Sequence, residues 1–301
     1  MTDKKRWKQI RNSYQLYLLL FPIVLYYLIF QYLPMYGVII AFKDYSVTKG
    51  ILGSPWAGFE HFQRFFESPR FWTIIQNTIG LSALSLIVGF PLPIVLALLM
   101  NQLISKRFKR FVQTVLYAPH FISVVVIVGM LYVFLAHHGP VNHAIGLAGG
   151  DAVNFLSAPE WFKPLYVLSG IWQETGFACI IYLAALSGVN PETHEAAIVD
   201  GASKWQRIVN VDIPTIIPTA VVLLVLAVGN LMNVGFEKAY LMQSPLNLPS
   251  SEVIPTYVYK VGLQQAQYSF SAAVGLFNAV VNLILLVTVN IVAKRISGTG
   301  L

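Results

Sequence analysis

Long apolar runs separated by short polar segments dominate the pattern along this chain. Runs of roughly 20 apolar residues recur, which is the length a helix needs to cross about 30 Å of hydrocarbon. Prolines lie within several runs, and neighbouring helices of a bundle can satisfy the backbone groups freed at such breaks. We therefore predict an all-α membrane protein with six transmembrane helices, at residues 14–40, 72–100, 111–136, 164–188, 213–232 and 272–292.

Composition supports a membrane protein rather than a soluble domain. Of the 301 residues, 56% are hydrophobic and 11% are charged, whereas a soluble domain usually carries about 25% charged residues. The single cysteine, Cys179, lies in the predicted fourth span, so no intramolecular disulfide can form. We interpret the net charge of +7 as a topology signal and expect no nucleic-acid partner.

Lysines and arginines are divided unequally between the two ends of the predicted spans. Thirteen of the 20 fall in residues 1–13, in the loop between the second and third spans, in loop 189–212, and after the sixth span. Because cytoplasmic loops carry the excess of such residues, both termini are predicted to be cytoplasmic. The basic segment 1–13 precedes an apolar run too long for a signal peptide, so we predict a retained first span in a permease domain at 14–301.

Loop 189–212, between the fourth and fifth spans, is charged and is predicted to form two short helices with a hinge. Asn190 can cap a helix that begins at Pro191, where the missing N–H is no loss. Gly201 permits backbone angles closed to other residues, and Ser203 is a second candidate N-cap. Two interpretations remain: a rigid projection that docks into a partner, and an ordinary helix lying on the bilayer surface.

A spaced motif in this loop carries a resemblance to a known family. Glu195-Ala196-Ala197 is followed after three residues by Gly201, and after nine more by Val211-Asp212-Ile213-Pro214. This pattern resembles the cytoplasmic signature of binding-protein-dependent ABC transporter permeases, with Val and Ile where the family has Ile and Leu. The resemblance implies a coupling helix that seats in a cleft of a separate ATPase subunit, through Glu195, Ala196, Ala197, Asp200, Gly201 and Pro214.

The resemblance extends over most of the chain. The stretch IWQETGFACIIYLAALSGVNPETHEAAIVDGAS is similar to the fourth span and coupling loop of maltose-type permeases, and YLPMYGVIIAFKDYS resembles a segment of oligosaccharide permeases. It implies the type I ABC importer permease fold and oligosaccharide import across the bacterial inner or plasma membrane. The implied partners are a second homologous permease, two ATPase subunits, an extracytoplasmic solute-binding protein, the oligosaccharide and the lipid bilayer.

The chain lacks a phosphate-binding loop, because no glycine is followed by lysine anywhere in it. We therefore expect no catalytic residue and no cofactor on this chain, and the resemblance implies that ATP and Mg bind to the partner ATPase subunits. His137, His138 and His143 lie in one outer loop without a nearby carboxylate or cysteine, so we expect no metal site there.

One ionisable acid, Glu174, is predicted at membrane depth, where such groups are costly and usually functional. An aromatic ring beside polar groups suits sugar binding, although polar side chains also join helices by hydrogen bonds. An ionised Glu174 would disfavour acidic sugars unless it is paired with a cation. The candidate substrate path consists of Trp172, Gln173, Glu174, Ser85, His120, Asn278 and Asn282.

Two other functions are weighed against ATP-driven import. An ion- or proton-coupled secondary transporter predicts inverted repeats and several acids at membrane depth, whereas the sequence shows one such acid and no repeat. A membrane scaffold or receptor component would tolerate loss of Glu195 and need no ATPase.

Overall fold

A computed structural model describes residues 13–297, and these residues are almost entirely helical. The described residues form no β-strand beyond an isolated bridge between Lys43 and Trp56, which confirms the all-α prediction for this part of the chain. Five helices are long and apolar enough to cross a membrane, namely Tyr14–Phe42, Phe71–Asn101, Pro159–Ser187, Lys204–Gly229 and Tyr268–Arg295.

A sixth candidate span consists of two helices, Lys106–Phe121 and Val124–Phe134, that meet at an angle of 95°. The sequence predicted one continuous span at 111–136, and the bend has local causes. Pro119 lies in the short 3₁₀ turn at the end of the first helix. Ser123 then starts the second helix, where its hydroxyl accepts a hydrogen bond from the amide of Val126.

The contacts divide the chain into two units. The first comprises residues up to 66 together with 261–276. Its helical segments that precede residue 67 are α1 (Tyr14–Tyr27), a π turn (Leu28–Tyr32), α2 (Leu33–Met35), a 3₁₀ turn (Tyr36–Phe42), α3 (Gly50–Gly53) and α4 (Glu60–Phe66). The apolar side chains of α1 are exposed throughout, which suits a helix surrounded by lipid or by another membrane subunit.

Within this first unit, basic side chains hold the segments that follow the first span. The Nζ of Lys43 donates to the carbonyl of Ile51 at 2.8 Å. Arg64 donates to Gln267 at 2.8 Å and lies over the ring of Phe270, 4.5 Å from its centroid.

The second unit holds residues 67–260 and those from 277 onward. Its helical segments are α5 (Phe71–Gly89), α6 (Pro91–Asn101), α7 (Lys106–Tyr117), a 3₁₀ turn (Ala118–Phe121), α8 (Val124–Phe134), α9 (Pro140–Leu147), α10 (Pro159–Ser187), α11 (Pro191–Val199), α12 (Lys204–Arg207), a π turn (Ile208–Asp212), α13 (Ile213–Gly229), α14 (Phe236–Met242), α15 (Leu248–Ser251) and α16 (Ile254–Tyr259). A π turn (Lys260–Gln264) follows α16 and lies, apart from Lys260, in the first unit, and α17 (Tyr268–Ser297) begins in the first unit and continues in the second.

Helix α10 forms the centre of this unit, because its two halves enter two different apolar clusters. Phe162 and Val167 pack in one cluster with residues of α5, α8 and α14, and Cys179 and Tyr182 pack in the other with residues of α6 and α13. Between the clusters, Gly176 lets α7 approach closely, since a Cβ there would overlap the backbone carbonyl of Leu116.

Buried polar side chains of α5 hold the long connection between α13 and α17. Asn77 donates to the carbonyl of Pro249 at 2.8 Å, and the hydroxyl of Thr78 accepts from the amide of Ile254 at 3.0 Å. Glu252 is buried between two cations, 3.6 Å from Arg70 and 3.8 Å from Lys260. These contacts hold this connection, which includes α14, against the N-terminal part of α5.

Candidate functional site

Helix α11 and its flanking residues, 190–206, form a compact projection that we call the foot. The side chain of Asn190 accepts from the amide of Glu192 at 3.1 Å, as the sequence predicts for an N-cap. Gly201 has φ +78°, a left-handed conformation that lets the chain turn out of α11. Ser203 and Gln206 then cap each other reciprocally at the start of α12, which confirms the second predicted cap.

The foot exposes three apolar side chains, and three exposed acidic side chains lie among them: Glu192, Glu195 and Asp200. Val199 is 87% exposed and Trp205 is 71% exposed, and Ile198 is also exposed. Glu195 and Ala196 are exposed beside them on α11, and Ala197 is partly exposed. Apolar side chains grouped around a charge on a projecting loop indicate a surface that another protein covers.

A buried carboxylate connects the foot to the helical bundle. Asp212 is 0% exposed, and its Oδ1 lies 3.2 Å from Nε2 of His194 on the foot. Its other oxygen accepts from the side-chain amide of Gln102, at the end of α6, at 3.1 Å. The sequence motif leaves this position unspecified, and sequence reasoning missed Asp212. The available signal was an acidic residue between apolar ones at the start of a span.

Pro214 lies at the start of α13 and explains the widened turn before it. Proline has no N–H to donate to the carbonyl of Asn210, four residues earlier. The preceding residues form a π turn, Ile208–Asp212, in place of a regular helical turn. This turn lies between α12 and the first full turn of α13, so Pro214 shapes the join between the foot and the fifth span.

A cavity of about 520 Å³ opens between α5, α6, α10 and α14. Three predicted residues line it: Ser85, Gln173 and Glu174. Gln173 is largely buried, and its amide donates to the carbonyl of Ile122 at the bend of the third span, at 3.0 Å. Its side chain therefore stabilises the bend as well as contributing to the cavity wall.

Glu174 is exposed in the cavity and is partnered by His120. Its Oε2 lies 2.9 Å from Nδ1 of His120, and the imidazole stacks on the ring of Phe177 at a centroid distance of 3.9 Å. His120 does not line the cavity itself, and it contacts the cavity wall through Glu174. Trp172 lies on α10 beside these residues, is half-exposed, and is not part of the cavity wall.

Lys238 on α14 also lines the cavity, yet it is only 7% exposed. Its Nζ donates to the carbonyl of Tyr166 at 2.9 Å and lies 4.8 Å from the centroid of that ring. Burial lowers the pKa of Lys238 to about 8, and the nearby charge of Glu174 opposes part of this shift. Lys238 lies between the fifth and sixth predicted spans, and the sequence did not indicate it, since α14 folds back against α10 only in the tertiary structure.

The two candidate asparagines of the sixth span contact residues that follow α13. Asn282 is buried, and its Oδ1 accepts from the amide of Met232 at 3.0 Å. Asn278 donates to the side chain of Asn233 at 2.9 Å. Neither lines the cavity beside Glu174 or a smaller one of about 280 Å³ that adjoins it at Ser85, so both act as helix-joining groups here.

The outer-loop histidines surround a separate small pocket. His137, His138 and His143 line it together with Asn142. Asn142 uses its side chain to hold the carbonyls of Ala136 and Val153. Within residues 13–297, no group of three or more metal-ligating side chains converges.

Comparison with known proteins covers nearly the whole chain. Residues 89–298 match the family described as binding-protein-dependent transport system inner membrane component. Two proteins of Bacillus subtilis (strain 168) are each 45% identical to the chain. Protein LplB matches 97% of this chain and 92% of its own length, and the polygalacturonan/rhamnogalacturonan transport system permease protein YteP matches 98% and 92%.

A solved structure shows the same fold. One chain of a bacterial alginate ABC transporter, crystallised in complex with an alginate pentasaccharide-bound periplasmic protein, is 44% identical to this chain. The two superpose with a TM-score of 0.90, over 98% of this chain and 99% of that one.

Proposed function

This chain belongs to the family of binding-protein-dependent transport system inner membrane components, and from that membership we propose how its parts carry out transport. It has the type I ABC importer permease fold and is a multi-pass subunit of a bacterial inner-membrane importer for oligosaccharides. The chain itself is not an enzyme, since ATP hydrolysis belongs to separate ATPase subunits. It works with these ATPases, a second permease and a solute-binding protein. The ion- or proton-coupled alternative is not favoured.

We propose that the foot is the ATPase-docking element, and the observation that carries this is the exposed apolar face around Glu195. An ATPase cleft with a basic group would cover Val199 and Trp205 and pair with the carboxylate of Glu195. Ala196 and Ala197 allow close approach of the partner, and Asp200-Gly201 forms the turn. ATP and Mg²⁺ would bind on the ATPase subunits, and the foot with both chain termini would face the cytoplasm.

We further propose that the cavity beside Glu174 is part of the sugar path. Ser85 and Glu174 offer polar groups to sugar hydroxyls, and Phe236 offers an exposed aromatic ring. A pyranose packs its apolar face on such a ring while its hydroxyls take hydrogen bonds. Gln173 and His120 support this wall, and Trp172, Asn278 and Asn282 lie outside it.

Movement of the foot would reach the cavity through Asp212. ATPase closure would shift α11, and the contacts of Asp212 with His194 and Gln102 would transmit the shift to the second and fifth spans. The second span forms part of the cavity wall at Ser85, so its tilt alters access to the sugar path. Nucleotide and loaded binding protein bias this equilibrium because each binds the two states with unequal affinity.

The test is a charge reversal on the foot. In the reconstituted four-subunit transporter, Glu195→Arg should abolish sugar-stimulated ATP hydrolysis or release the ATPases, while the chain stays inserted in the membrane. The matched control is Asp151→Arg in an exposed loop outside the foot, which should leave hydrolysis unchanged. Normal coupling in Glu195→Arg would exclude the docking role.

A further inference from the structure

We propose that the cavity contains a carboxylate-binding subsite built on Lys238, and that its cargo is therefore an acidic oligosaccharide with uronate units. The inference rests on the proposed role of the cavity as the sugar path. Beyond that role, the inference specifies the charge of the cargo and names the residue that recognises this charge.

Lys238 is a buried cation whose hydrogen bonds are incomplete. An ammonium group offers three donors, and the structure shows one acceptor for them, the carbonyl of Tyr166. Among the described residues, no carboxylate lies within 4 Å of its Nζ. Lysines this deeply buried are nearly always paired, because desolvating an unpaired charge is costly. A bound anion would supply the missing partner.

The surroundings of the Nζ keep it accessible from the cavity. Gly170 lies against it, and a Cβ at that position would be 3.3 Å from the Nζ. Gly235 precedes α14, and a Cβ there would lie 3.0 Å from the hydroxyl of Tyr166. The absence of a side chain leaves space beside the ammonium group at Gly170 and beside the Tyr166 hydroxyl at Gly235, and both glycines line the same cavity. A sugar carboxylate can therefore approach the charge.

Two carboxylates in the cavity wall are alternative partners for the ammonium group of Lys238, and neither forms an ion pair with it. Glu174 attracts Lys238 through space, but its Oε2 is engaged by His120 at 2.9 Å. Glu237 is exposed on α14. Repulsion from these two groups would weaken binding of a doubly charged phosphate more than that of a singly charged carboxylate. Of these two anions, the charge balance therefore favours the singly charged uronate, held by one ammonium group.

A purely structural role for Lys238 is the rival explanation. Its hydrogen bond to Tyr166 joins α14 to α10, and a neutral donor would make the same link without burying a charge. The two roles differ in one observable property. Loss of the charge should reduce uptake of acidic cargo and leave uptake of neutral cargo unchanged. Loss of a structural link should reduce uptake of both.

The experiment uses the complete transporter with its binding protein in proteoliposomes. Uptake is measured for tetragalacturonate, for its fully methyl-esterified form, and for the neutral maltotetraose. The variants are Lys238→Met and Lys238→Gln, of which the second retains a donor for the carbonyl of Tyr166. The matched control is Lys163→Met, a half-buried lysine on α10 outside the cavity wall.

We expect wild-type uptake of tetragalacturonate, a loss of about tenfold or more in both Lys238 variants, and a change of less than about twofold in Lys163→Met. Uptake of the methyl ester, where the wild type shows it, should be unchanged in the variants. Equal losses for charged and neutral cargo, or no loss, would overturn the subsite. Wild-type uptake restricted to maltotetraose would also overturn it while leaving the importer function standing. Wild-type uptake of no sugar would count against the proposed function itself.

Discussion

The Nε2 of His194 lies 3.2 Å from Oδ1 of Asp212, which is fully buried where the foot meets the fifth span. The pair joins a solvent-exposed helix to the bundle through a carboxylate that water does not reach. Because Gln102 holds the second oxygen of Asp212 at 3.1 Å, a displacement of α11 acts on two spans at once. The proposed coupling to an ATPase would depend on this connection, since α11 itself is nine residues long and buries none of its side chains.

Replacing His194 should weaken this connection without touching the docking face. In His194→Ala, the carboxylate of Asp212 keeps the amide of Gln102 and loses the imidazole beside its other oxygen. We expect ATP hydrolysis to continue while sugar uptake per ATP falls, because the foot still docks but no longer moves the spans. Uptake and hydrolysis are measured together in proteoliposomes.

The control for that experiment is His143→Ala, which removes an exposed histidine of α9 away from the foot. It should leave the ratio of uptake to hydrolysis at its wild-type value. A His194→Ala transporter with the same ratio would show that this contact transmits no movement.

Gly201→Ala should destabilise the turn of the foot. Gly201 has φ +78°, and a residue with a Cβ adopts this conformation at a cost of roughly 1–2 kcal/mol. No atom lies within 4 Å of the added Cβ, so backbone strain and not collision is the cause. We expect weaker association with the ATPase subunits, measured as the fraction of ATPase that copurifies with the permease.

Gly275→Ala is the matched control for the turn, because Gly275 is helical, has no positive φ and also has open space around its Cβ position. Alanine there should be neutral or stabilising. Equal copurification in Gly201→Ala and wild type would argue against a required turn geometry.

Uptake of acidic cargo should fall as the pH rises through about 8. Burial lowers the pKa of Lys238 to about 8, so the ammonium group is charged below this pH and loses its proton above it. An anion that binds the charged form raises this pKa, which places the midpoint for transport at or above 8. The rate is measured between pH 6.5 and roughly 9.5 for tetragalacturonate and maltotetraose.

In Lys238→Arg, the cation stays charged over the same pH range, because the guanidinium does not deprotonate in proteins. If this variant still takes up acidic cargo, its uptake rate should not decline as the pH rises through about 8. A decline of the same size for neutral cargo would assign the effect to another group.

Gly176→Ala should disrupt packing at the centre of the bundle. The added Cβ would overlap the backbone carbonyl of Leu116, so α7 and α10 must separate. We expect a loss of roughly 1–3 kcal/mol, as for other overpacked cores, seen as a lower Tm of the purified complex. Gly129→Ala, which meets no atom within 4 Å, should keep the wild-type Tm. Equal Tm values for the two variants would contradict the close approach of α7.

Local features of this protein were predictable from sequence. Apolar runs long enough to cross a bilayer indicated an all-α membrane protein, because a helix in lipid satisfies its own backbone and needs no distant partner. The caps at Asn190 and Ser203 and the turn at Gly201 were predictable for the same reason, since each involves residues two to five positions apart. The motif around Glu195 also indicated the family.

Tertiary structure alone decided which polar side chains meet. Gln102 reaches Asp212 across 110 positions of sequence, and Lys238 reaches Tyr166 across 72. The bend of the third span brings His120 to Glu174, although the sequence predicted one continuous helix. Apolar periodicity shows that a segment crosses the membrane, but not which neighbour each face meets. Where each charge is buried depends on helix packing between segments distant in sequence.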